Sequence, residues 1–259
     1  MQSISILGCG WLGLPLGRHL AQLGYNVKGS TTNESKISIL ADAGIKPYCF
    51  KLNPNIEGKP GDFFASDLLI VNLPPRNQNG VTNFHEDQLL TILKHSNSKH
   101  VIFISSTAVY PSTNSTVTEI DASTACLSRG GIPLLKMEKL FSENSSFECT
   151  VIRFGGLYGP DRHPGRFLTG KKDLAGANNP INMIHLDDCI GVIQSIIKKE
   201  IWGEIFNASA PSQQTRQFFY EKASKELGIE APTFSNEKTP YKIVSSNKLI
   251  QKTGYKFKY

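Results

Sequence analysis

Gly8, Gly10 and Gly13 form a Gly-x-Gly-x-x-Gly turn between the apolar run Ile4–Leu7 and a helical pattern over Trp11–Leu23, which Gly17 continues. In that context each glycine has a task. The first permits a tight turn, the second lets the backbone approach a pyrophosphate, and the third lets the helix pack closely on the strand. The phosphates would then lie at the positive helix end, facing free N–H groups. The chemistry implied is binding of a nicotinamide dinucleotide, with Gly8, Gly10, Trp11, Leu12 and Gly13 as contacts.

The second strand ends in Gly29-Ser30-Thr31-Thr32-Asn33-Glu34-Ser35-Lys36. A carboxylate there would bind the ribose 2′-hydroxyl of NAD and repel a 2′-phosphate. Glu34 has about the right spacing, but Thr31-x-x-Glu34 also spells a capping box for the next helix, and that reading is preferred. The hydroxyls of Ser30, Thr31 and Thr32, with Lys36, suit a 2′-phosphate, so NADP(H) is favoured over NAD(H).

The elements that must position this turn alternate along the chain. Strand-like runs occur at Ile4–Leu7, Asn26–Ser30, Lys46–Phe50, Leu68–Leu73, Val101–Ser105, Thr150–Phe154 and Glu204–Asn207. Helical patterns separate several of them, at Trp11–Leu23, Asn33–Ala43, Asn83–Lys94, Pro133–Phe141 and Asp188–Lys199. Such alternation predicts an α/β fold, a Rossmann-like doubly wound parallel sheet covered on both faces. The Gly-, Pro- and Asn-rich stretch Lys51–Ser66 predicts one short or irregular crossover. Beyond Phe154 the texture shifts to Gly, Pro, Arg and Asn. We expect a dinucleotide-binding domain over residues 1–155 and a smaller C-terminal substrate lobe over 156–259, with strand 204–207 returning to the main sheet.

A chain of 259 residues, 39% hydrophobic, can bury a full core. No apolar run approaches the roughly 18 residues of a membrane span, so a soluble protein is expected. Five scattered cysteines without Cys-x-x-Cys pairs suggest a reducing, cytoplasmic setting and no metal site. The net charge of +6 is spread over dispersed lysines without interleaved aromatics, so it suits a small anionic ligand better than nucleic acid.

Ordered landmarks resemble the extended short-chain dehydrogenase/reductase superfamily of nucleotide-sugar epimerases, dehydratases and reductases. They are the glycine turn, Ile104-Ser105-Ser106-Thr107-Ala108-Val109-Tyr110, the segment Val151–Pro160, Asn182-Met183-Ile184-His185-Leu186-Asp187-Asp188, and the closing Ser246-Asn247-Lys248-Leu249 and Thr253-Gly254-Tyr255. Gly10-Trp11-Leu12-Gly13 and Arg162-His163-Pro164-Gly165-Arg166-Phe167 are similar to motifs of an atypical, YeeZ-like branch of the NAD-dependent epimerase/dehydratase family. The resemblance implies Ser106, with Thr107 beside it, as the group polarising a substrate oxygen. It also implies a Tyr-x-x-x-Lys pair for proton transfer. That pair is missing. With Glu138 on the family's glutamate, Gly130 stands at the tyrosine position and Leu134 at the lysine position, while Lys136 should face away. Leu73, Pro74 and Ser105 are further expected cofactor contacts. A two-fold homodimer is a further implication.

If chemistry survives, another group must move the proton, and His163 and His185 are the candidates because imidazole titrates near neutrality. For His185 the plainer alternative is a hydrogen bond ordering the loop, with Asp187 or Asp188 capping the helix. Arg162, Arg166 and Lys171 suit an anionic group. Tyr110, Arg153, Tyr158 and Asn182 complete the expected substrate contacts, although Arg153 could instead pair within the core. Two functions stay open: an NAD(P)-dependent oxidoreductase or epimerase/dehydratase-like enzyme for an anionic, sugar-like substrate, and a catalytically silent NADP(H) sensor.

Overall fold

The computed structural model describes residues 2–73, 84–123 and 131–259. Its strands are β1 (Ser3–Leu7), β2 (Asn26–Thr31), β3 (Lys46–Leu52), β4 (Ile56–Gly58), β5 (Leu68–Val71), β6 (His100–Ser106), β7 (Ser115–Val117), β8 (Glu148–Phe154), β9 (Gly156–Tyr158), β10 (Met183–His185), β11 (Ile205–Ala208) and β12 (Lys242–Val244). The helices are α1 (Gly13–Gln22), α2 (Ile37–Asp42), α3 (Phe84–His95), α4 (Gly131–Ser142), α5 (Leu186–Lys199), α6 (Arg216–Glu226) and α7 (Asn247–Thr253). None is long and apolar enough to cross a membrane among the described residues.

Eight strands form one sheet in the order β11-β8-β6-β5-β1-β2-β3-β4. From β1 the chain winds outward both ways, pairing in parallel with β2 and β5, and through them with β3 and β6. This is the doubly wound α/β fold that the alternation implies. Every residue of β5 is fully buried, as a central parallel strand covered on both faces requires.

The stretch from Lys51 to Ser66 contains no helix. β4 instead folds back antiparallel on β3. The chain then returns toward β5 through a loop anchored by aromatics: Phe63 is fully buried and meets Tyr48, Phe50 and Phe64 edge-on. Lys28 Nζ fastens the same loop, donating to the Asp62 and Ala65 carbonyls at 2.6 and 2.8 Å. Apolar burial and a charged clasp do the work a crossover helix does elsewhere.

The chain divides into two compact units. The first is Met1–Ser105 with Ile132–Ile152 and Ile196–Ile205; the second is Ser106–Gly131 with Arg153–Ser195 and Phe206–Tyr259. Two short parallel pairs, β9 with β10 and β7 with β12, belong to the second unit along with α6 and α7.

At the amino end of β6 His100 stacks on Trp202, ring centroids 4.4 Å apart, and its buried Nδ1 lacks a hydrogen-bond partner among the described residues. Burial lowers its pKa, opposed by Glu148, whose Oε2 lies 3.2 Å from Nδ1, and aided by Lys99. A histidine whose folded pKa lies below its unfolded value of about 6.5 leaves more protons on the unfolded chain. Its stabilising effect is therefore complete above that value and declines as pH falls toward the folded pKa. Urea denaturation of wild type should show a loss of stability between neutral pH and about pH 5 that is smaller in His100→Gln. An unchanged pH slope in the variant would refute this.

Candidate functional site

β1, largely buried, leads into Gly8, whose φ of 99° few other residues tolerate. Its N–H donates to Ser30 Oγ at 2.9 Å, and its carbonyl accepts from Asn72 Nδ2 at 3.0 Å. A Cβ on Gly8 would run into the Asn72 carbonyl oxygen, and one on Gly13 would be driven into the Gly8 carbonyl. Gly10 differs: among the described residues a Cβ there would meet nothing within 4 Å. α1 starts immediately beyond, with no side-chain cap on Leu12 and no acidic residue in its first turn. Leu14 N donates to the Gly10 carbonyl at 3.1 Å, and the first turn carries no carboxylate of its own to offset the positive end of the helix dipole. Trp11 and Leu12 complete the turn, and Leu73 lies against Gly8. Asn72 was missed by sequence reading; the signal was a polar residue directly following a wholly apolar strand. Pro74 lies outside the described residues.

At the end of β2 the hydroxyls are partly occupied. Ser30 is buried and accepts the Gly8 N–H, while Thr31 Oγ1 accepts the Asn33 N–H at 3.1 Å. The capping box expected of Thr31 and Glu34 does not form. Asn33 caps instead, its Oδ1 accepting from Ser35 N at 3.0 Å, because Thr31 still belongs to the strand and its hydroxyl reaches only the bend. Thr32 and Lys36 remain exposed. The charge of Lys36 reaches Cys9 on the turn, though burial dominates there and pushes the Cys9 thiol up to about 12.

Where the family carries its proton-transfer pair, α4 presents Leu134, buried, and Glu138, 2% exposed. Ser105 Oγ donates to Glu138 Oε1 at 2.5 Å. Lys136 is exposed, as the helical rotation predicts. Gly130 lies outside the described residues. Thus a buried serine–glutamate pair ties the end of β6 to α4, and Ser105 faces helix rather than solvent.

In the second unit Ser106 Oγ accepts the Ala108 N–H at 3.2 Å, capping a short turn over Thr107–Val109, and a hydroxyl that accepts one hydrogen bond still carries a proton to donate. Thr107 is buried. Tyr110 and Arg153 are each 2% exposed. The Tyr110 hydroxyl donates to Asn207 Oδ1 and accepts from Arg153 Nη1, both at 2.6 Å, and Arg153 also donates to the Glu119 carbonyl. Burial pushes the Tyr110 pKa up to about 12. Their placement makes both framework residues, in contrast to the ligand contacts expected from sequence. Tyr110→Phe should cost about 2 kcal/mol in urea denaturation by stranding Asn207 Oδ1, and leave dinucleotide affinity unchanged.

Asn182 also serves the framework: Nδ2 donates to the Lys242 carbonyl at 2.9 Å, and Oδ1 accepts from Val244 N at 2.8 Å. His185 caps α5 itself, Nδ1 accepting the Asp187 N–H at 3.2 Å, while its ring stacks on Tyr259 and meets Tyr158 edge-on. His163 behaves alike. Its Nδ1 accepts the Gly165 N–H at 3.2 Å, and its Nε2 lies 3.6 Å from Glu226 Oε2. Gly165 packs so tightly on α6 that a Cβ would strike the Ala223 carbonyl oxygen at 2.5 Å. The basic loop is therefore docked, with Arg162, Arg166 and Lys171 exposed along it and Lys172 paired to Glu230. No group of three or more His, Cys, Asp or Glu side chains suited to a metal occurs among the described residues.

Sheet order and glycine turn together define a Rossmann-like protein with the short-chain dehydrogenase/reductase fold. Among solved structures, a functionally unknown conserved protein from Silicibacter pomeroyi superposes with a TM-score of 0.78 at 21% identity, covering 100% of this chain and 94% of that one. UDP-glucuronic acid 4-epimerase from Bacillus cereus, in complex with NAD, gives 0.78 at 19% identity, covering 100% and 92%. The chain belongs to the YeeZ family: it is 30% identical to Protein YeeZ of Escherichia coli K12 over 268 aligned residues, covering 100% of this chain and 97% of the relative. No family model matches it.

Proposed function

We infer that the protein binds a nicotinamide dinucleotide on the Gly8–Gly13 turn and works as an NAD(P)-dependent oxidoreductase or epimerase/dehydratase-like enzyme on an anionic, sugar-like substrate. The observation that carries this is Gly10. Gly8 and Gly13 are glycines because the protein's own backbone leaves no room for a Cβ, whereas no described residue comes within 4 Å of a Cβ at Gly10. Together with an uncapped helix start, that is the surface a pyrophosphate needs. The fold shared with an epimerase solved with NAD supports the same reading.

The backbone of Gly10–Gly13 would hold the pyrophosphate, with Trp11, Leu12 and Leu73 flanking it. At the end of β2 no carboxylate competes with a 2′-phosphate inside the strand, and Thr32 and Lys36 favour NADP(H). Bound there, the nicotinamide supplies a hydride donor or acceptor. Ser106 donates its hydroxyl proton to the substrate oxygen, and Arg162, Arg166 and Lys171 attract the anionic part of the substrate.

Leu134 supports a second reading. A buried leucine at the family's lysine position, and Glu138 one turn further bonded to Ser105, suit a protein that holds NADP(H) without turning over. Titration with NADPH and NADH, followed by Trp11 fluorescence in Trp202→Phe, tests the binding. A panel of nucleotide sugars and phosphosugars tests turnover. Ser106→Ala should abolish any activity, and binding with inertness across the panel would favour the sensor. Failure to bind either dinucleotide at millimolar concentration would remove both readings.

A further inference from the structure

β12 alternates inward and outward. Val244 is 7% exposed and Ile243 is 42% exposed, so Lys242 falls on the inward side with Val244. An inward lysine is costly, because an ammonium taken from water needs a carboxylate or several acceptors in return. Among the described residues Lys242 Nζ makes one hydrogen bond. Its Nζ donates to the neutral Tyr110 carbonyl at 2.6 Å. Desolvation lowers the pKa of this half-buried group and no neighbouring charge contributes, so no carboxylate balances it among the described residues.

The backbone carrying this cation is fixed from three directions. β12 pairs with β7, Lys242 opposite Ser115. Asn114 exchanges hydrogen bonds with Tyr241, its N–H donating to the Tyr241 carbonyl at 2.8 Å and its Oδ1 accepting from Tyr241 N at 2.9 Å. On the other side the Asn182 amide bridges Lys242 and Val244. A cation set inward on a fixed strand, with one neutral acceptor and two further N–H directions, meets an anion with little backbone ordering left to do.

We propose that Lys242 anchors an oxyanion site in the second unit, taking a phosphate or carboxylate group of the substrate. The site stands whether or not a dinucleotide binds the Gly8–Gly13 turn, and is tested without one.

The full chain is treated with a limiting amine-reactive acylating reagent, and acylation of Lys242 is followed by peptide mass spectrometry against exposed Lys198. Inorganic phosphate or malonate, at ionic strength held constant with sodium chloride, slows Lys242 and leaves Lys198 unaffected. Ligand at about ten times its dissociation constant leaves roughly one-tenth of the site free, so the slowing approaches about ten-fold. Protection by phosphate alone assigns a phosphate group, and protection by malonate alone assigns a carboxylate. Lys242→Met separates binding from a structural role: its thermal midpoint holds or rises as a desolvated charge disappears, and the midpoint increase caused by the protecting anion is lost, whereas Lys242→Arg retains it. Unchanged labelling with both anions overturns the proposal. So does a Lys242→Met protein that keeps the full anion-induced shift.

Discussion

Gly10→Ala should fold like the parent protein and lose most of its affinity for a nicotinamide dinucleotide. The new methyl group meets no atom of the described residues within 4 Å, so the thermal midpoint should stay close to wild type. What it does fill is the space through which a pyrophosphate reaches the N–H groups at the start of α1. Hydrogen bonds to a charged group contribute about 1.5–3 kcal/mol each, so displacing the phosphates by one such bond weakens binding about ten- to hundred-fold. Gly13→Ala, three residues on, should do the opposite. Its methyl would be forced into the Gly8 carbonyl, backbone against backbone, with Asn72 Nδ2 behind at 3.2 Å. Helix and strand must separate, at a cost of about 3 kcal/mol or more. Thermal unfolding and an NADPH titration of both variants check the pair. A Gly10→Ala protein that binds NADPH as tightly as wild type would show that the dinucleotide does not lie on this turn.

Much of the fold was legible because local pattern and global architecture agree. Apolar runs such as Leu68–Val71 have no other home than a doubly covered parallel strand, and a glycine turn between strand and helix has few other uses. The glycine turn itself kept its place while gaining partners: Asn72, 64 residues from Gly8, completes it. Partners at such separations leave no local trace. β7 and β12, three residues each, exist because Ser115–Val117 meets Lys242–Val244 across more than 120 residues of chain, and neither segment looks like a strand alone. The functional side chains were less legible for a related reason. Serine, threonine, histidine and arginine advertise chemistry by type, but the backbone competes for the same atoms. Ser30, Thr31, His163 and His185 accept N–H groups, and Arg153 and Tyr110 hold each other in the interior. Residue type reveals what a group can do; only its neighbours in the fold decide which of its atoms remain available.

Asp188→Ala should be among the most destabilising single changes in the second unit. The Asp188 side chain is fully buried, and its two oxygens gather the chain's last residues: Oδ1 accepts from the Tyr255 hydroxyl at 2.8 Å and Lys258 N at 2.9 Å, and Oδ2 accepts from Tyr259 N at 3.2 Å. The carboxylate also lies in the first turn of α5, where negative charge is favourable. Alanine removes the acceptor for three donors at once, and even partial rescue by water leaves a loss of about 3 kcal/mol. Asn in its place keeps one carbonyl oxygen but sets an NH2 against a donor, so Asp188→Asn should lie between wild type and alanine. The seat can be spoiled from the other side as well. Gly191 faces the Tyr255 ring so closely that a Cβ would overlap its hydroxyl, and Gly191→Ala should loosen the same segment while leaving the carboxylate intact. Hydrogen exchange at the Lys258 and Tyr259 amides reads the release directly. Because Tyr259 stacks on His185 with ring centroids 3.9 Å apart, the His185 ring resonances should shift in all three variants. An Asp188→Ala protein with wild-type unfolding midpoint and protected tail amides would mean that the segment is held by its aromatic packing, and that the buried carboxylate contributes nothing to it.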